Sequence, residues 1–196
     1  MLQDVTIQPG IAPAHRREAA RLYWLAFGGK LGRVMGPEPK ALAFIDRVML
    51  ADHAFVAIDA GGRVLGVIGC RTAQGAFVGG THADLRAVYG RFGAWWRSHA
   101  LAILAQDLPP DEIVIDGLAV VPDARGRGVG AALTNALILA ARDRHYRAVH
   151  LDVIEGNTPA RKLYDWLGFR PSGTRRSVLT RAIYGFGTCH TMTLPL

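Results

Sequence analysis

Between positions 121 and 131 the chain reads Val-Pro-Asp-Ala-Arg-Gly-Arg-Gly-Val-Gly-Ala, so Gly126, Gly128 and Gly130 alternate with Arg125, Arg127 and Val129. This stretch constrains the fold more than any other, because of what flanks it. On one side, residues 113–121 form a run rich in Ile, Val and Leu, which predicts a strand. On the other, residues 128–142 place Val129, Ala132, Leu133, Ala136, Leu137 and Ala140 along one stripe, which predicts an amphipathic helix. A strand must therefore end and a helix begin within a few residues. Glycine lets that backbone turn sharply and come close to a ligand. The unpaired N–H groups and dipole of a first helical turn favour an anion there, and two arginines add to the attraction. Gly-rich strand-to-helix turns also occur where nothing binds, so the hexapeptide alone leaves that alternative open.

The elements around it alternate. Residues 149–154 predict a strand with Val149, Leu151 and Val153 on one side and His150 and Asp152 on the other. Residues 158–167 predict a helix with Thr158 as N-cap, Pro159 in the first helical position and Gly168 just past the end. Upstream, residues 5–7 predict a strand, and 15–27 and 40–50 predict helices joined by a Gly/Pro-broken link over 28–39. Residues 54–58 and 64–70 predict a hairpin around Asp59-Ala60-Gly61-Gly62. Residues 81–106 have helical spacing interrupted by Gly90 and Gly93, predicting two helices or one irregular one. Strand–helix–strand–helix order predicts α/β layering.

Three phosphate-binding patterns compete for the glycine turn. A Walker A loop is absent. The dinucleotide fingerprint is met by Gly126, Gly128 and Ala131, with Asp152 as the ribose acid, but Pro122 to Arg125 separate the glycines from their strand and only 44 residues follow Asp152. The third pattern, Arg/Gln-x-x-Gly-x-Gly/Ala, is filled by Arg125, Gly128 and Gly130. Here the sequence resembles the GNAT superfamily of acyl-CoA-dependent N-acetyltransferases. The resemblance runs through Leu118-Ala119-Val120-Val121-Pro122, the glycine turn, Leu151-Asp152-Val153, Asn157-Thr158-Pro159 and Tyr164 to Gly168-Phe169, in order over residues 113–169.

That resemblance implies an α/β (α+β) fold with a mixed central sheet flanked by helices and splayed between its fourth and fifth strands. It implies that acetyl-CoA is the co-substrate, with no metal. Main-chain groups of Leu118, Ala119 and Val120 would pair with the pantetheine arm. Arg125, Gly126, Arg127, Gly128, Val129 and Gly130 would hold the pyrophosphate, and Asn157 would contact pantetheine unless it serves only as a turn residue. Tyr164 would protonate the departing thiolate. For the base, Asp152 and Asp116 are the foremost candidates, Glu155 and His150 weaker ones, and a water relay is the alternative. By the two-residue strand period Asp116 should share a face with Leu118 and Val120. The implied reaction is acetyl transfer to a primary amine by direct attack in a ternary complex; the rivals are a non-catalytic CoA- or nucleic-acid-binding regulator and an NAD-type oxidoreductase.

One domain over residues 1–196 is expected, with a CoA-binding core at 113–169 and a helical insertion at 79–110 where the family usually has a short turn. That insertion either walls the acceptor pocket or packs Leu85, Tyr89, Phe92 and Trp96 onto the sheet. The formal charge of +7 lies entirely in residues 125–196, which hold 11 basic and 4 acidic residues, and 20 of the 23 basic side chains are arginine. This suits a polyphosphate ligand, and Arg175, Arg176 and Arg181 either attract an acidic acceptor or nucleic acid or are solvated. No helix-turn-helix or aromatic RNA-binding signature supports a nucleic-acid partner. No long apolar run or signal segment is evident, and Cys70 and Cys189 make no disulfide framework, so a cytoplasmic location without membrane contact is expected. A homodimer is compatible with the resemblance.

Overall fold

The computed structural model describes residues 5–104 and 108–196. The expected hairpin forms: β2 (Ala54–Asp59) and β3 (Val64–Thr72) pair antiparallel, and Gly62, at φ +82°, donates its N–H to the Asp59 carbonyl at 3.0 Å. β1 (Val5–Pro9) joins the outer edge of β2, and a two-residue β4 (Gly75–Ala76) folds back on β3. β5 (Glu112–Val120) takes the other side of β3, followed outward by β6 (Ala148–Ile154), β8 (Thr188–Pro195) and β7 (Arg170–Arg176). Among the described strands, only the β5–β6 pair is parallel. That is not the doubly wound parallel sheet a dinucleotide fingerprint requires.

Helices cover both faces. On one face lie α4 (Val129–Asp143) and α5 (Thr158–Trp166), burying Leu133, Leu137 and Tyr164 with Val149, Leu151 and Phe169 of the sheet side. On the other lies α1 (Arg16–Met35), whose Ala19, Leu22 and Tyr23 pack with Val56, Val67 and Ala119. A third cluster contains no strand residue. There Val34 and Met35 of α1 meet Phe44 of α2 (Glu38–Val48), Leu85 and Tyr89 of α3 (His82–Ala102) and Tyr184 of α6 (Val178–Tyr184).

Several sequence expectations are revised. α1 continues through Gly28, Gly29 and Gly32, where the sequence pattern predicts a broken link. Each glycine costs a helix about 1 kcal/mol, but the extension buries Val34 and Met35, and a side chain at position 28 would lie 2.9 Å from the Trp24 ring. α3 starts in a capping box between Thr81 and Asp84 and kinks at Gly90, at φ +75° and ψ +177°, in keeping with the interrupted spacing. Gln106, the expected end of the helical stretch, lies outside the described residues. α3 does not pack on the sheet: Leu85 and Tyr89 enter the helical cluster, Tyr89 Oη donating to the Met35 carbonyl at 2.6 Å, while Phe92 stays exposed. β7 and α6 have no counterpart in the sequence reading. β7 is exposed along its whole length and has no apolar alternation, being a strand only by pairing with β8.

The two parallel strands are tied at one end. The buried Glu112 carboxylate pairs with Arg147 and lies 2.6 Å from His150 Nε2, and His150 Nδ1 lies 2.7 Å from Thr193 Oγ1 of β8. Removing one member of such a group leaves the others buried and unsatisfied. Glu112→Ala should therefore lower unfolding stability in urea by about 2–4 kcal/mol. A loss below about 0.5 kcal/mol, the range of ordinary surface substitutions, would mean that backbone pairing alone holds this end.

Candidate active site

The β5–β6 ladder has four registers, from Glu112↔Ala148 to Ile115↔Leu151, and then stops. Beyond it, residues 117–120 of β5 keep β3 as their partner, while β6 pairs with β8 as far as Ile154. The strands part as expected, now as the fifth and sixth because β4 intervenes. The β3–β5 register slips at the same place, from Gly69↔Gly117 to Cys70↔Ile115, leaving Asp116 as the extra residue of a bulge. The bulge corrects the expected facing. Leu118 and Val120 pack with Ile113 and Ile115 in the α4–α5 core, whereas Asp116 lies 3.6 Å from Arg71 Nε, on the α1 side with Tyr23.

At the open end, Gly126 (φ +72°) and Gly128 (φ +87°) adopt the left-handed backbone that the turn requires, Gly128 standing as N-cap of α4. A Cβ on Gly126 would meet nothing within 4 Å, so the loop faces open space. The first amides of α4, beginning at Val129, have no acceptor within the helix and carry the positive end of its dipole. Gly130 sits deeper, where a Cβ would lie 3.4 Å from Leu118 and 3.5 Å from Leu163, so β5, α4 and α5 converge at that point. Arg127 is exposed. Arg125 turns back and donates Nε–H to the Val120 carbonyl at 3.0 Å, so one expected pantetheine contact is already engaged by the loop itself. This donor set, open and cationic over a helix start, fits a diphosphate.

Tyr164 is buried against Phe169, ring centroids 5.6 Å apart, and burial pushes its hydroxyl up to about 12, so it stays protonated at neutral pH. Asn157, not Thr158, is the N-cap of α5, its Oδ1 accepting from Ala160 N–H at 3.4 Å. The cap uses the carbonyl oxygen, and its amide N–H groups make no part of that bond. Asp152 is an exposed carboxylate on the α1 side, paired with Arg175 and accepting from Thr191 Oγ1 at 2.8 Å. His150 lies at the tied end of the strands, bound up with Glu112 and away from the gap. Glu155 is exposed just past β6.

Asp116 has the environment of a proton acceptor. Burial pushes its carboxyl up to about 6, with Arg71 and His53 opposing the shift. Sequence reasoning did not place Tyr23 and Phe27 of α1 beside this bulge, where a Cβ on Gly117 would meet both rings, nor Lys30, which is helical only because α1 continues past Gly28. Beside α1 there is a separate cleft of about 550 Å³, lined by Glu18, Arg21, Trp24, Glu38, Val64 and Val121 and containing none of the anticipated site residues. Because Asp116 holds its proton more tightly folded than unfolded, the stability from protonation is full below about 3.8 and is lost as pH rises through about 6. Between those values, wild type should lose on the order of 2–3 kcal/mol relative to Asp116→Asn. Parallel urea-unfolding curves from pH 4 to 7 measure this, and coincident pH profiles would contradict the raised value.

The profile of the acetyltransferase (GNAT) family matches residues 16–169. A putative ribosomal protein bS18-alanine N-acetyltransferase of Bacillus subtilis is 30% identical over 70 residues, which cover 36% of this chain and 46% of that protein. A mycothiol acetyltransferase of Thermobispora bispora is 44% identical over 75 residues, covering 38% of this chain and 24% of that protein. The chain thus matches under half the length of either relative. A solved GCN5-related N-acetyltransferase from Kribbella flavida shares the fold along the whole of both chains, with a TM-score of 0.65 at 21% identity. With its glycine turn, parted strands and most of its length inside that profile, the chain belongs to the GNAT acetyltransferase family.

Proposed function

We propose that the protein transfers an acetyl group from acetyl-CoA to a primary amine by direct attack within a ternary complex. The observation that carries this is the coincidence of three features: strands that part after Ile115 and Leu151, an open glycine–arginine loop at the end of β5, and a protonated tyrosine on the adjoining helix. Acetyl-CoA supplies the acyl group as an activated thioester. The Gly126–Gly130 amides and the Arg127 guanidinium take the diphosphate charge, and Arg125 braces the loop through Val120 while still presenting its terminal nitrogens. Main-chain groups of Leu118 face the gap where β5 lacks β6, an edge suited to strand-like pairing with an extended amide arm, while the Ala119 carbonyl turns to β3. The Asn157 amide donors add a contact from the start of α5.

An alkyl ammonium must lose a proton before it can attack. Asp116, raised to about 6, is mostly ionised at neutral pH yet basic enough to accept that proton, directly or through water. Asp152, its charge already met by Arg175 and Thr191, is left out of the proton transfer. Tyr164 donates its hydroxyl proton to the departing thiolate. α1, α3 and α6 wall the acceptor side, so the helix of the 79–110 insertion belongs to that wall and the chain works as one unit. No helix among the described residues is long and apolar enough to cross a membrane, and we place the enzyme in the cytoplasm.

The first test is binding. Acetyl-CoA at 100 times its dissociation constant should add about 2.7 kcal/mol of stability, and NAD none. The second is turnover, read as free thiol release with a panel of amines that includes peptides starting with alanine. Tyr164→Phe should lower kcat by roughly 10²-fold or more. With an alkylamine that stays protonated over the range, kcat/KM should climb to a plateau as pH passes about 6, Asp116→Asn should remove that limb, and a low-pKa amine should lose much less to the substitution. If acetyl-CoA gives no stabilisation, or Tyr164→Phe keeps full kcat, the proposal fails.

A further inference from the structure

α1 crosses the parted strands, and its residues span the opening. Phe27 lies on β5 so closely that a Cβ on Gly117 would be 2.5 Å from its Cζ. One turn later Lys30 Nζ lies 5.8 Å from the centre of that ring. Its charge also interacts with Cys189 of β8, the residue opposite Ile154 where β6 ends. Lys30 is therefore held between the two sides of the gap, on the face that carries Asp116 and Asp152.

The charges on this face are unequal. Asp116 is paired with Arg71, and Asp152 with Arg175. Lys30 is half-buried, and among the described residues it has no carboxylate within ion-pairing distance. Its burial lowers its proton affinity, the mark of an ammonium that gives up hydration without a compensating anion. An ammonium that has given up part of its water gains from any anion brought beside it. An amine acceptor arriving as a bare cation would meet repulsion here, whereas one carrying its own negative group would supply the missing partner.

We infer that Lys30 is a specificity residue that selects acceptors carrying a carboxylate a few bonds from the reactive amine. The carboxylate pairs with Lys30 Nζ over Phe27 while the amine end reaches towards Asp116. This rests on the acetyl-transfer reading above and narrows it to amino-acid-like amines.

The test uses matched acceptors in which a methylene chain of varied length joins a primary amine to a terminal carboxylate, carboxamide or phosphonate. With wild type, the carboxylate members should exceed their carboxamides by roughly tenfold or more in kcat/KM, mainly through KM. Lys30→Gln should bring that ratio towards one while leaving the KM and thermal shift for acetyl-CoA unchanged, and Lys30→Arg should keep most of the preference. A ratio unaffected by Lys30→Gln, a preference for carboxamides, or turnover confined to phosphonates overturns the inference. So does acetylation of Lys30 itself, read by peptide mass mapping, because the resulting amide cannot hold a carboxylate. Acetyl-CoA stabilisation with no transfer to any member of the series also counts against Lys30 alone. Absence of that stabilisation in wild type brings down the acetyl-transfer reading instead.

Discussion

Everything functional in this molecule follows from two neighbouring strands that are bound at one end and free at the other. β5 and β6 run parallel, the one such pair among the described strands, and their ladder covers only the first half of β5. At the bound end, Glu112, Arg147, His150 and Thr193 link β5, β6 and β8 through charge and hydrogen bonds. At the midpoint, the Asp116 bulge adds a residue to β5 alone, and a bulged strand bends and twists away from its neighbour. The free end leaves main-chain donors and acceptors of β5 without a strand partner on that side. Ordinarily an exposed edge is a liability that proteins cover or blunt. Here it opens beneath the glycine loop, where such groups can serve a ligand.

The bulge also distributes the chemistry between the two faces. Ile113 and Ile115 before it and Leu118 and Val120 after it all enter the core under α4 and α5, which a strict alternation does not allow. With the bulge, the Asp116 carboxyl stands with Arg71 on the α1 side, close enough to Tyr23 to raise that hydroxyl's proton affinity. Tyr164 stays on the α4–α5 side. A carboxyl of raised proton affinity and a protonated tyrosine thus stand on opposite sides of one opening, an arrangement suited to a reaction in which one reactant loses a proton and another gains one.

Residues 113–169 are legible in the sequence because their signals are local. The apolar run of β5, the glycine turn, the stripe of α4 and the alternation of β6 each specify an element within a dozen residues. Features set by distant contacts are not legible. α1 outlasts its glycines because Val34 and Met35 find Tyr89 and Phe44, which no window around residue 28 reveals. β7 has no strand pattern, since it is exposed on both sides and depends on β8 for its form. The facing of Asp116 departs from expectation because a strict two-residue period admits no bulge. Asn157 displaces Thr158 as cap by a single position, within the usual uncertainty of helix ends. The small α6 has a quiet signature, Ser177 accepting from Thr180 N–H at one end and Gly185 at φ +81° at the other.

The helical cluster of α1, α2, α3 and α6 has a consequence of its own. Because its apolar members include no strand residue, it is a small separate reserve of cohesion beside the two that hold the sheet. Polar contacts bind it internally: Arg97 stacks between Tyr89 and Trp96 and donates to the Gly36 carbonyl at 3.0 Å, and Tyr184 donates to the Ala100 carbonyl at 2.8 Å. A unit of that kind can loosen while the β-layer stays intact, opening by sub-global steps well below the free energy of complete unfolding. Under the acetyl-transfer reading, slow breathing of this roof would meter the arrival and departure of acceptors, and drift in its sequence would alter acceptor choice without eroding the platform beneath.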